Sequence, residues 1–121
     1  MGADFAYIGS PFIATEEARA VDEYKQMIVD STSDDIVYSN YFTGIHGNYL
    51  IPSIEKTGLE PRDLAESDPS KMDFGDSQYK VWRDIWGSGQ GIGAIKEIAK
   101  TKDYVDRLEQ EYIAARERLL K

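Results

Sequence analysis

The residues Phe5 to Ile8 form a short, continuous apolar run stopped by Gly9, Ser10 and Pro11, and this feature most restricts what the chain can fold into. A run of four with no polar alternation reads as a strand buried on both faces of an α/β sheet, with the turn following at once. Thr15 can then cap a helix whose first turn holds Glu16 and Glu17, where acids suit the dipole. Ala18, Val21, Tyr24 and Ile28 recur at helical spacing behind it. Strand, turn and helix in that order predict an α/β fold.

Further on, Ser31 to Asp35 is polar and acidic, and Ile36 to Thr43 is rich in β-branched and aromatic residues, which predicts a strand. Gly44 and Gly47 bracket a turn. Asn48 to Thr57 reads as a short helix with Pro52 in its opening turns and Gly58 as its stop. Glu60 to Gly75 is loop-like. Ser77 can cap a helix carrying Val81, Trp82, Ile85 and Trp86, which the run from Gly87 to Gly93 ends. Thr101 can cap a last helix in which Val105, Leu108, Tyr112, Ala115 and Leu119 recur at steps of three and four, a stripe that needs a surface to pack on.

The 121 residues suit one domain's length, and without cysteine they offer no disulfide, no thiolate metal site and no thiol nucleophile. The net charge of −8 argues against nucleic acid or an anionic membrane as the main partner. No stretch approaches the ~20 apolar residues of a membrane span. Residues 1–6 carry neither a basic secretory leader nor a myristoylation serine, so the cytoplasm is the expected location. The abrupt opening on Gly2-Ala3-Asp4 before the apolar run suggests a chain that starts mid-fold.

Candidate chemistry is sparse. Gly87-Ser88-Gly89-Gln90-Gly91-Ile92-Gly93 has four glycines in seven residues, which lets backbone N–H groups approach an anion or a flat ring. On pattern alone a helix-ending turn is the simpler reading, since the segment follows a helix and no Walker lysine follows it. Gly9-Ser10, after a buried strand and before a helix, sits where α/β folds bind phosphate, although such a turn can be only a turn. His46, the only histidine, can serve as a base, bind substrate or simply sit at the surface. With no second histidine, a metal site is not expected. Trp82 and Trp86 share a helix face, as core or as a cofactor wall.

The stretch from Gly2 to Ala18, followed by Phe42-Thr43-Gly44, Gly47-Asn48-Tyr49-Leu50 with Pro52-Ser53-Ile54, Ser70-Lys71-Met72 with Phe74-Gly75, and Trp82-Arg83-Asp84-Ile85-Trp86 with Gly89-Gln90-Gly91, resembles the nitronate monooxygenase (2-nitropropane dioxygenase) family in the same order. The resemblance implies an FMN-binding (β/α)8 TIM barrel with a small, mostly helical inserted domain, oxidising alkyl nitronates with O2. A barrel takes about 250 residues, so the chain is expected to be a C-terminal fragment, inactive alone. Residues 1–30 would be the last barrel strand and helix, 31–80 the inserted domain, and 81–121 a flavin-side segment and closing helix.

By the same resemblance, Gly9 and Ser10 match a Gly-Thr pair that holds the FMN phosphate, and Ser88, Gly89, Gln90 and Gly91 match a segment beside the flavin. Pro11 stands where an arginine is common. The family's catalytic histidine lies in an upstream Gly-Gly-His region, so His46 is not its equivalent and is expected near substrate. A sister flavin activity, such as quinone or enoyl-thioester reduction, is the nearest alternative on the same fold. A non-enzymatic interaction module using the aromatic middle segment is the alternative of another class.

Overall fold

The computed structural model describes residues 3–66 and 81–121. Helices dominate: α1 (Ser10–Ile13), α2 (Asp22–Asp30), α3 (Ile51–Glu55), α4 (Val81–Asp84) and α5 (Thr101–Leu119), with 3₁₀ turns at Ser33–Asp35 and Gln90–Ala94. Between α2 and α3 lies an antiparallel pair, β1 (Ile36–Ser39) and β2 (Gly47–Leu50), in the register Ile36↔Leu50 to Ser39↔Gly47. Ser77 and the Ser70–Gly75 motifs fall outside the described residues.

This overturns the expected barrel portion. Among the described residues there is no parallel sheet, only the two-stranded antiparallel one. Phe5 to Ile8 forms no strand, and Phe5 is 95% exposed. A strand buried on both faces needs neighbours on both edges to take up its N–H and C=O groups, and no described segment pairs with this one. The apolar run was therefore a poor guide.

The first helix also differs. Thr15 does not cap α2, because its hydroxyl donates to the Phe12 carbonyl at 2.8 Å and closes α1. Its backbone lies in an isolated parallel bridge with Ala99, formed by the Glu16 N–H to the Ala99 carbonyl (3.0 Å) and the Ala99 N–H to the Ala14 carbonyl (3.3 Å). Helix α2 starts seven residues later, with Asp22 and Glu23 in its first turn.

Elsewhere some local expectations hold in part, the strand expected over Ile36 to Thr43 ending at Ser39. Ile36 opens a strand, Gly44 takes φ 74° in the connection to β2, and Gly58 takes φ 82° just after α3, where glycine alone is unstrained. The helix expected over Asn48–Thr57 is shorter, since Asn48 to Leu50 belong to β2.

Strand alternation divides the core. On β2, Leu50 joins Ala14, Met27, Ile28, Trp86, Ile92 and Ile95, while Tyr49 joins Phe42, Ile54 and Ile85. The segment after α4 repeats the division, with Ile85 in one cluster and Trp86 in the other. It runs antiparallel beside β2: the Leu50 N–H donates to the Trp86 carbonyl (2.8 Å), Tyr49 bridges Gly87, and the Ser88 N–H donates to the Asn48 carbonyl (3.2 Å). This pairing fixes the glycine-rich segment against the hairpin.

Thr101 was expected to cap the last helix with its own side chain. Instead the Glu17 carboxylate, distant in sequence, accepts from the Thr101 N–H (2.9 Å) and hydroxyl (2.8 Å). Those two bonds, the backbone one foremost, hold the Glu17 carboxyl below the usual glutamate range. A lowered pKa means stabilisation that is present above the ordinary glutamate pKa and lost as pH falls through the lowered one. The first turn of α5 is therefore expected to loosen on acidification, and the Thr101 amide resonance should follow the Glu17 titration. In Glu17→Gln that acid-dependent shift should vanish; its persistence would refute the assignment.

Candidate functional site

Two segments selected from sequence, Gly9-Ser10 and Ser88-Gly89, meet. The Ser10 Oγ accepts from the Gly89 N–H at 2.7 Å and from the Ser88 hydroxyl at 3.4 Å. The single Ser88 proton also has the Gly89 carbonyl at 3.3 Å as an acceptor, and an oxygen that accepts from the Gly89 N–H keeps its own proton to donate. Ser88 is buried, while Ser10 is half-buried and Gly89 exposed, so the cluster opens at the surface.

The glycines differ in what they require. A Cβ at Gly89 would sit 3.2 Å from the Ser10 Oγ and one at Gly87 3.3 Å from the Asn48 carbonyl, so these two permit close approach. At Gly91 a Cβ would meet nothing within 4 Å. Gly9 has φ −120° and open space around a Cβ, so its backbone needs no glycine. Whatever binds there does not depend on glycine-only geometry at that position. Gln90 and Gly91, both exposed, begin the 3₁₀ turn and complete the set of residues that the resemblance placed beside the flavin.

Behind the cluster, Tyr24 stacks on Trp86 with centroids 5.0 Å apart and 17° between planes, and its hydroxyl donates to the Gly87 carbonyl. Burial pushes the Tyr24 phenol above its ordinary pKa, which keeps it a neutral donor. The Trp86 indole N–H donates to the Arg83 carbonyl at 2.8 Å. Trp86 is thus a core residue that fixes the start of the glycine-rich segment, whereas Trp82 is 86% exposed and takes no part in that face.

Asn48 was not singled out as a site residue by sequence. Its Oδ1 is buried and has no hydrogen-bond partner, a condition that costs about 1–3 kcal/mol. Its backbone carbonyl takes the Ser88 N–H, so this acceptor belongs to the residue paired with the serine cluster. The signal available in sequence was a side-chain amide at a strand start beside Gly47. His46 precedes the same strand, is exposed, and stacks on Tyr38 at 4.8 Å. Its place in chain puts it two residues from Asn48, at the same end of β2 as the serine cluster.

The cavities elsewhere are not built from these residues. A groove of about 310 Å³ is lined by Glu23, Gln26, Met27, Asp30, Asp35 and Lys56 among others, and a cavity of about 60 Å³ by Pro11, Thr15, Ile95, Tyr104 and Arg107 among others. Sites for cofactor-sized ligands run to about 300–1,000 Å³. The serine cluster, open at the surface, lines neither of these two cavities. Among the described residues no group of three or more His, Asp or Glu is placed to hold a metal, and no helix is long and apolar enough to cross a membrane. No protein-family model, curated protein or solved structure matches the chain.

Proposed function

We propose that this chain supplies the phosphate-side anchor of an FMN site in a flavoenzyme that oxidises alkyl nitronates with molecular oxygen. The family resemblance in sequence motivates the reading. The observation that carries it is the meeting of Ser10 with Ser88 and Gly89, 78 and 79 residues apart, the two segments which that resemblance assigns to the flavin.

The donor chemistry fits the group. The Ser10 hydroxyl keeps a proton for a phosphate oxygen, and hydroxyl and backbone donors can bind a dianion without a lysine. The orphaned Asn48 Oδ1 is an acceptor suited to a ribityl hydroxyl or a ring N–H. When bound, FMN supplies the ring that takes electrons from the nitronate and passes them to oxygen. This chain's residues hold and orient: the Ser10 hydroxyl donates to the phosphate while the Gly89 N–H fixes the Ser10 oxygen, Tyr24 and Trp86 keep the segment in place, and His46 is assigned to the substrate side.

Flavin fluorescence titration tests the anchor. FMN is expected to bind at least about tenfold more tightly than riboflavin, the equivalent of one charge-assisted hydrogen bond. Ser10→Ala should abolish most of that difference. Equal affinity for FMN and riboflavin, or no effect of Ser10→Ala, would remove the phosphate assignment.

A further inference from the structure

Helix α5 is 19 residues long, about 28 Å at 1.5 Å per residue, and none of its residues is buried. The contacts that anchor it lie in its first turn: Glu17 caps Thr101, and Phe12 meets Tyr104 edge-on at 5.1 Å. Beyond that turn Val105, Tyr112 and Leu119 are 47%, 66% and 85% exposed. An isolated helix of this length is marginal in water, and a continuous apolar stripe along it calls for cover.

We infer that the cover is a second copy of this chain, packed antiparallel along α5. Val105, Leu108, Tyr112, Ala115 and Leu119 occupy alternate steps of three and four, the seam positions of a two-helix coiled coil. With Tyr112 of one copy set against Ala115 of the other, Leu108 falls against Leu119, so large faces small and leucine faces leucine. A parallel pair would instead crowd two tyrosines into one layer and leave two alanines facing in the next.

Charge complementarity makes the same choice. In the antiparallel register Glu109 flanks Arg116 of the second copy and Glu111 flanks Arg118, and two-fold symmetry repeats both pairs. All four side chains are exposed, and among the described residues Glu111 pairs within its own helix, with Arg107 at 3.5 Å. In the parallel register Glu109 would flank Tyr104 and lose its arginine. Opposed helix dipoles add to the preference. This surface is separate from the serine cluster and does not depend on the flavin reading.

Sedimentation equilibrium of the full chain, with variants at the flanking charges, tests the inference. The unaltered chain should show a concentration-dependent monomer–dimer equilibrium. Glu109→Arg, which sets arginine beside Arg116 in both halves of the interface, should weaken the dimer about tenfold. Adding Arg116→Glu should restore it, and an equimolar mixture of the two single variants should form the hetero-pair in preference to either homodimer. Circular dichroism separates these effects from loss of folding. A chain that stays monomeric at high concentration, or a Glu109→Arg variant that dimerises as well as the parent, would overturn the inference and leave α5 to a different polypeptide or the parallel arrangement.

Discussion

Trp86→Ala is expected to lower the unfolding free energy by about 3–5 kcal/mol, the range for removing a large aromatic side chain from a core. Trp86 is 9% exposed and packs in the cluster with Ala14, Ile28, Leu50 and Ile92. Its loss removes three things at once: the buried area, the stack with Tyr24, and the indole bond to the Arg83 carbonyl. Without the stack, the Tyr24 hydroxyl is no longer held against Gly87, so the glycine-rich segment should loosen with the core. Whole-domain stabilities are about 5–15 kcal/mol, so a large share of the molecules would be unfolded under mild urea. Urea denaturation followed by far-ultraviolet circular dichroism measures it. A change below about 1 kcal/mol would mean that the ring does not organise this cluster.

Ser53→Ala is the second large effect, expected to cost about 2–3 kcal/mol although it makes the side chain more apolar. Ser53 is 1% exposed, and its hydroxyl donates to the Leu50 carbonyl at 2.7 Å and accepts from the Trp86 N–H at 3.0 Å. Alanine leaves the Trp86 amide buried without an acceptor, and an orphaned buried donor costs about 1–3 kcal/mol. The Leu50 carbonyl also loses the Ser53 hydroxyl and is left in the same dry site. The midpoint of urea unfolding should fall with an unchanged slope. Stability equal to that of the parent would show that water replaces the hydroxyl.

The local signals in the sequence that proved sound are those in which the chemistry is contained within a few residues. The positive φ of Gly58 ends a helix wherever it occurs, and the β-branched run at Ile36 makes a strand. The signals that misled are those settled by distant partners. Phe5 to Ile8 has the composition of a doubly buried strand, but composition does not supply the neighbouring strands that such burial requires. Thr15 and Thr101 have cap-type side chains, yet the Thr15 hydroxyl closes α1 on the Phe12 carbonyl while its backbone bridges Ala99, and Thr101 is engaged by Glu17, far along the chain. The serine cluster was half legible: both segments stood out by their small residues, while their meeting, the φ of Gly9 and the orphaned Asn48 amide come only from the tertiary arrangement.

The seam that joins the early and late parts of the chain has a consequence for how the molecule assembles. Thr15 bridges Ala99, Glu17 binds Thr101 84 residues away, and Ser10 receives the Gly89 amide 79 residues away. Closing loops of this length costs conformational entropy before any of these contacts is gained. Contacts of such high sequence separation slow folding. The hairpin and α2 can form from nearby residues, whereas α1 and the first turn of α5 find their partners only after the intervening chain has been made. Assembly therefore finishes by fastening the two ends to each other, and a nascent chain lacking residues 89–101 leaves Ser10 to Glu17 without a docking place.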